Sequence, residues 1–393
     1  MAIDPKTLRG NWNFPTLIRF GPGRVRELAD ACRSLGMTRA LLVTDPGLAA
    51  LPMVGEAVAA NEAAGLPTTV FSDIKSNPVG RNVEDGVAAC RAAACDGVIA
   101  FGGGSALDAG KAIALMVGQS RPIWDFEDRD DWFTRVNVAG MVPVVAVPTT
   151  AGTGSEVGRA SVITDEESHT KKIIFHPNMM PGIVIADPAL TVGLPPKITA
   201  ATGMDALAHN LEAFCAPGFH PMADGIAVEG MRLVREWLMV AVAEGGNLVA
   251  RAHMLAAASM GATAFQKGLG AIHALSHPLG AVYDVHHGLT NAVVMPYVLV
   301  FNRRAIEARA VRLARYLGLA EPTFDGLLDW VLELRRALDI PHTLADLGVS
   351  EDEVPRLAPM AAADPSCGGN PLTVGEAELA SLFRKAIRGD LSA

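Results

Sequence analysis

GVIAFGGGSALDAGKAI, Gly97 to Ile113, is the stretch whose reading decides the fold. Gly97 to Phe101 is a continuous apolar run, which suits a strand buried on both faces. It runs into Gly102-Gly103-Gly104-Ser105, where a helix begins that includes Leu107, Lys111 and Ile113. Glycines at a strand end let a ligand approach the backbone closely, and the first N–H groups of a helix favour an anion. The stretch therefore has a phosphate-binding geometry. It is neither GxGxxG nor a P-loop, and it follows a middle strand rather than the first. On this motif alone a tight strand-to-helix turn explains it equally well.

The same alternation extends upstream. Asn13 to Phe20 reads as a strand ending at Gly21-Pro22-Gly23, and Arg24 to Ser34 as a helix. Ala40 to Thr44 is a strand stopped by Asp45-Pro46-Gly47, Glu56 to Ala64 a helix, Thr68 to Phe71 a strand, and Val83 to Ala94 a helix. Strands alternating with helices of this length imply a parallel sheet covered on both faces. Downstream, Val142 to Val147 is a further strand, followed by a second glycine- and threonine-rich loop, TTAGTGS, from Thr149 to Ser155. Ser161 to Thr164 and Ile183 to Ile185 read as short strands. Two such loops at strand ends are better evidence for a nucleotide than one. Asp45, at the end of its strand, is placed to take the two ribose hydroxyls of NAD and to repel a 2′-phosphate, although an aspartate before Pro-Gly is also a common turn residue.

Beyond Asp187-Pro188 and Pro195-Pro196 the pattern changes. Beta-branched runs disappear and nearly everything reads as helix: Met204 to Phe214, Ala223 to Val242, Leu248 to Phe265, Ala305 to Leu317 and Phe324 to Leu338. We therefore expect an α/β dinucleotide-binding domain over residues 1–190 and an all-helical metal and substrate domain over residues 191–393. The chain has 393 residues, is 50% hydrophobic and carries a formal net charge of -9, so it can bury large cores. Mild acidity without a basic run argues against nucleic acid. The N-terminus, MAIDPKTLRGNWNF, has no apolar core segment and does not read as a signal peptide. No apolar run approaches the ~20 residues that span a bilayer. The five cysteines, Cys32, Cys90, Cys95, Cys215 and Cys367, are odd in number and lack CxxC spacing. They read as free thiols in a reducing compartment, hence a cytoplasmic protein without membrane or nucleic-acid partners.

GLGAIHALSHPLGAVYDVHHG, Gly268 to Gly288, holds four of the ten histidines: His273, His277, His286 and His287. His273 and His277 share a helical face. Single histidines on apolar faces are usually satisfied by a hydrogen bond, but four in so short a span suggest a divalent metal. Upstream, Asp205 and His209 lie four apart on the helix opened by TGMDALAH. With His273 and His287 they make one carboxylate and three imidazoles, a set that suits Fe(II), Zn(II) or another first-row ion.

These pieces carry a resemblance. GGGSALDAGKA, PTTAGTGSE, DPALTVGLPPKITAATGMDALAHNLEAF and AFQKGLGAIHALSHPLGAVYDVHHG together resemble the iron-containing, or group III, alcohol dehydrogenase family, along nearly the whole chain. The resemblance implies an N-terminal α/β dinucleotide domain, an all-α C-terminal domain and a site in the cleft between. It maps the metal ligands to Asp205, His209, His273 and His287, with Fe(II) first and Zn(II) the alternative. His286 becomes a neighbour of the ligand position. Asp45, Asn77, Gly103, Gly104, Ser105, Thr149, Thr153 and Lys171 fall on cofactor positions, although Lys172 adjoins Lys171. Gly158 stands where some members have a threonine. His277 maps beside the nicotinamide, as a proton relay or as a wall.

The implied chemistry is reversible hydride transfer between a small primary alcohol, or hydroxy acid, and NAD, aided by a Lewis-acidic metal. Phe265 falls on a position resembling a pocket wall, though an aromatic there also suits the core. Lys267, six residues before His273, would pair with an acidic substrate if it faced the cleft, favouring 4-hydroxybutyrate and succinic semialdehyde. Otherwise simple alcohols or diols fit better. A metal-dependent sugar-phosphate cyclase-type lyase is the alternative, but the region is poor in the Lys and Arg a phosphorylated substrate needs. A non-catalytic metal- or nucleotide-binding protein is a third reading. Family members commonly assemble, so a homodimer or larger oligomer is expected.

Overall fold

The structure, a computed structural model, describes residues 16–168 and 170–392. The N-terminal segment and the start of the strand expected over Asn13 to Phe20 lie outside the described residues. Among these, two compact units emerge. One comprises residues 16–150 and Gly154–Gly193; the other comprises Ala151–Thr153 and residues 194–392.

The first unit is built on the expected alternation. In chain order it contains β1 (Leu17–Phe20), α1 (Leu28–Ser34), β2 (Ala40–Val43), α2 (Pro46–Ala49), α3 (Pro52–Ala63) and β3 (Thr68–Phe71). There follow α4 (Gly80–Ala92), β4 (Gly97–Gly102), α5 (Gly104–Met116), β5 (Val144–Pro148), β6 (Ala160–Asp165), β7 (Thr170–Phe175) and β8 (Ile183–Ala186). Six strands form one sheet in the order β1-β8-β5-β4-β2-β3, parallel at every pairing. Every residue of β2, β4, β5 and β8 is buried, which is why these strands carry unbroken apolar runs instead of an alternating pattern. Leu28, Cys32, Leu42, Ile99, Phe101, Val145 and Ile185 belong to one core cluster. The strand order reverses between β2 and β4. Loops leaving the carboxyl ends of those two strands therefore flank a topological switch point, the usual ligand crevice of an open parallel sheet.

Sequence did not reveal β7. TKKIIF pairs antiparallel with β6, Thr164 opposite Lys171 and Ile163 opposite Lys172, and its two lysines obscure the strand character. The five cysteines are free, and all but Cys367 are buried.

The second unit is helical: α6 (Pro196–Cys215), α7 (Pro221–Ala243), α8 (Leu248–Ala264), α9 (Ala271–Tyr283), α10 (His287–Tyr316), α11 (Phe324–Ala337), α12 (Val354–Ala362) and α13 (Glu376–Arg388). The central helix is α6, buried at every residue from Thr199 to Cys215. Small residues let neighbours approach it. A Cβ on Gly288 would lie 2.2 Å from the Ala201 carbonyl oxygen, so α10 meets the α6 backbone at a spacing only glycine permits. The helix expected over Ala305 to Leu317 is only the end of α10, which runs straight through Pro296. Proline costs one backbone hydrogen bond, and the buried helix around it absorbs that loss. No helix among the described residues is long and apolar enough to cross a membrane.

Candidate active site

Helix α6 presents Asp205, His209 and Glu212 along one stripe, at spacings of four and three. Helix α9 presents His273, Ser276 and His277. His287 is the first residue of α10, not part of a loop, and Asn291 lies one turn further on the same face. Three helices thus bring side chains from three separate stretches of sequence to one place.

The oxygen and nitrogen donors of Asp205, His273 and His287 all lie within 4.8 Å of one another. Asp205 Oδ1 is 3.9 Å from His273 Nε2, 3.6 Å from His287 Nε2 and 3.9 Å from His209 Nε2. Ligands about 2.1 Å from a tetrahedral ion stand roughly 3.4 Å apart, so these spacings approach coordination distance. His209 stands outside the tight triad, but its ring stacks on that of His273, with centroids 4.6 Å apart. The Asn291 amide nitrogen is 2.8 Å from Asp205 Oδ1, 3.2 Å from His273 Nε2 and 3.1 Å from His287 Nε2. An amide has two hydrogens, so three lone pairs converge on too few donors. Such a surplus of acceptors fits a cation.

The outer partners fix which nitrogen faces inward. Glu212 Oε2 accepts from His273 Nδ1 at 2.5 Å, while its other oxygen accepts from the Ile272 amide at 2.7 Å. His287 Nδ1 lies 3.1 Å from Ser276 Oγ, which is also 2.5 Å from Thr290 Oγ1. Both rings therefore turn Nε2 inward, the arrangement a metal site needs. Burial pushes His209 down to about 4, so its imidazole is neutral with a lone pair to give. Burial opposes protonation of His273 too, but the Glu212 charge and hydrogen bond outweigh it and hold this ring above its ordinary value.

His277 stacks on His287 at 5.2 Å, and its Nδ1 lies 2.7 Å from Asp364 Oδ2. Burial alone would raise Asp364; the adjoining His277 overcomes it and brings the carboxyl down to about 2. Phe265 lies with its ring 5.1 Å from that of His209. His286 caps α10 and is held below its usual value by burial. Lys267 is turned elsewhere. Its ammonium bonds Asp224 Oδ1 at 2.5 Å and the Phe214 carbonyl at 3.2 Å, and only 1% of the side chain is exposed. The sequence left two directions open for Lys267, and its ammonium is paired with a carboxylate of its own unit.

In the α/β unit, α5 opens directly on Gly103 with no side-chain cap, which leaves its first-turn amides to an anion. The Ser105 hydroxyl bonds the Ser76 carbonyl, beside Asn77. Thr149 is buried, with its amide bonded to the Gly102 carbonyl at 2.9 Å. Thr150 packs where a Cβ on Gly103 would reach, at 3.3 Å. The two glycine-rich loops are therefore adjacent, the first of them at the switch point and the second beside it. One oxygen of Asp45 caps α2 through the Leu48 amide at 2.9 Å, the turn role that the sequence left open. Lys172 is held by Asp165 at 2.6 Å and lies over the Trp124 ring. Lys171, its neighbour on β7, points to the opposite face. Thr153 falls in the short segment that packs with the helical unit, where Gly152 abuts Thr202.

Sequence reasoning missed Glu212, Ser276, Asn291 and Asp364. Glu212 and Asn291 had a signal, being on the ligand faces of their helices; Asp364 had none.

Comparison with known proteins gives the family. The family model described as iron-containing alcohol dehydrogenase matches residues 15–188, and the model of that family's C-terminal part matches residues 199–387. The chain belongs to the iron-containing alcohol dehydrogenase family. It is 37% identical to 1,3-propanediol dehydrogenase of Citrobacter freundii, over 95% of this chain and 97% of that one. It is 38% identical to 4-hydroxybutyrate dehydrogenase of Cupriavidus necator, over 95% and 98%. A solved sulfoacetaldehyde reductase from Bifidobacterium kashiwanohense, in complex with NAD+, superimposes with a TM-score of 0.86 at 30% identity, covering 96% of this chain and 98% of that one. As a member of the family the chain is a metal-dependent oxidoreductase of alcohols and aldehydes, with NAD and a divalent metal as its cofactors.

Proposed function

We propose that this enzyme interconverts short primary alcohols or diols and their aldehydes with NAD, and that Asp205, His209, His273 and His287 hold its divalent cation. The observation that carries this reading is the convergence of Asp205 Oδ1, His273 Nε2 and His287 Nε2 on one point. When bound, the cation would supply Lewis acidity toward an alcohol oxygen, and NAD would supply a hydride acceptor.

The chain's own residues do the rest. Glu212 and Ser276 hold protons on the outer nitrogens of His273 and His287, which keeps the inner lone pairs available. Asp364 does the same for His277, whose Nε2 is left as an acceptor for a hydroxyl proton. Phe265 supplies an apolar surface beside His209. Toward the dinucleotide, Gly103, Gly104 and Ser105 offer the open helix terminus to a phosphate, with Asn77, Thr149, Thr153 and Lys171 as further contacts. Asp45 retains an oxygen for the ribose hydroxyls.

Substrate choice follows from Lys267. Its ammonium is committed to Asp224, so an acidic substrate would have to compete with a buried ion pair. This favours uncharged alcohols over 4-hydroxybutyrate. The likeness to a 4-hydroxybutyrate dehydrogenase keeps the acid as the second reading. Comparing NADH production from 1-butanol, 1,3-propanediol and 4-hydroxybutyrate tests the choice. A 4-hydroxybutyrate rate well above the other two overturns it. Metal analysis of His209→Ala tests the ligand set: full metal content with full turnover removes His209. On the resemblance and the free thiols we also infer a cytoplasmic homodimer or larger assembly, which light scattering of the purified protein checks.

A further inference from the structure

Lys111 is buried inside the α/β unit, with 1% of its surface exposed. Its ammonium donates to the Ser155 carbonyl at 3.0 Å, to the Gly158 carbonyl at 3.5 Å and to the Ala160 carbonyl. Asp108, one turn earlier on α5, lies 3.3 Å from the same nitrogen. Asp108 in turn accepts the Ser155 hydroxyl at 2.5 Å on one oxygen and the Val162 amide at 3.0 Å on the other. A buried ammonium is costly unless paired and fully bonded, and here all its donors are used. Three carbonyls within six residues have been folded around one charge.

The charge matters because of what else α5 carries. Its N-terminus holds Gly104 and Ser105, at the mouth of the first glycine-rich loop. Lys111 lies six residues further along, about 9 Å at helical rise. Strands β4 and β5 are paired, with Gly102 opposite Pro148, so both loops leave the carboxyl edge of the sheet side by side. One helix therefore begins in the first loop and, through Lys111, anchors the end of the second.

We propose that Lys111, supported by Asp108, is a positioning residue for the dinucleotide: it holds Gly154 to Ala160 in the conformation that receives NAD. This rests on reading the α/β unit as the NAD site. Without the ammonium the loop loses its common anchor and samples other conformations. Apparent affinity then falls in proportion to the competent fraction.

The test is fluorescence titration of NADH into the full-length, metal-loaded protein, for the parent, Lys111→Met, Lys111→Arg and Asp108→Asn. If the competent fraction drops to roughly a tenth, Lys111→Met raises the NADH Kd about tenfold. Asp108→Asn is expected to raise it less, and Lys111→Arg to restore part of the loss. Amide exchange over residues 154–160 should quicken in Lys111→Met, while metal per chain and the KM for alcohol stay near the parent values. A merely structural lysine would lower the melting temperature and leave the Kd alone. A folded Lys111→Met that binds NADH like the parent overturns the proposal. Should that variant not fold, an unchanged Kd in Asp108→Asn does so. A parent that binds no NADH would instead overturn the NAD-linked reading itself.

Discussion

At the scale of single residues, the site is organised less by its donors than by the groups behind them. Glu212 holds His273 from one carboxylate oxygen and the start of α9 from the other. Outer partners of this kind usually contribute 10–100-fold in metal affinity, so Glu212→Gln should weaken binding by about that factor in a competition titration. Unaltered affinity would show that His273 needs no such support. Lys267 supplies the contrasting case. Removing one partner of a buried pair outright costs ~3–5 kcal/mol. Arg309 also reaches Asp224, at 3.1 Å, so Lys267→Met should cost less, about 2 kcal/mol. Its ratio of rates on 4-hydroxybutyrate and 1-butanol should not move; a selective loss on the acid would return Lys267 to the substrate site. These residues also mark how far the sequence could be read. Asp205, His209, His273 and His287 stood out because carboxylate and imidazole at helical spacing among apolar neighbours have few uses. Asp364 did not, because it is 87 residues from His277 and looks like any aspartate before a proline. Lys267 showed its charge but not its direction, which is set by Asp224 on a different helix.

At the scale of elements, legibility followed the periodicity. Strands β2, β4 and β8 were plain because burial on both faces leaves uninterrupted apolar runs. Strand β7 was hidden by Lys171 and Lys172, which the two-stranded ribbon tolerates because neither position is fully buried and Lys172 is paired with Asp165. Helix α10 begins eighteen residues before the Ala305 expected from sequence and continues through Pro296, because a proline breaks most helices but not one enclosed along much of its length. That enclosure has a consequence for the metal centre. The first turn of α10 carries His287, and Gly288 brings it against α6 where a Cβ would sit 2.2 Å from Ala201 O and 2.9 Å from Asp205 Cβ. A backbone carbonyl in a buried helix cannot move aside as a side chain would. Gly288→Ala should therefore push His287 away from Asp205, lower stability by roughly 1–3 kcal/mol through overpacking, and strip most of the metal. Full metal content in the purified variant would mean that α10 can shift without parting the ligands.

At the scale of the whole molecule, the division of labour between the units predicts how each responds to its own ligand. All four proposed metal ligands lie on α6, α9 and α10, within the helical unit. A cation held there ties three helices together and binds the folded state alone, since the unfolded chain scatters its donors across more than eighty positions of sequence. A ligand at a thousand times its dissociation constant stabilises by about 4 kcal/mol. For a unit of about two hundred residues that corresponds to roughly 8–16 °C in melting temperature. Chelation should thus depress the melting of the helical unit by about 10 °C at low free metal, an order of magnitude that follows from the same relation. The parallel sheet contributes no ligand to this set, so the α/β unit should answer to NADH instead. Differential scanning calorimetry with and without chelator, and with and without NADH, separates the two responses. If chelator leaves the melt untouched while NADH still raises it, the helical unit holds its shape without a cation, and the converging lone pairs around Asn291 must be satisfied by protons.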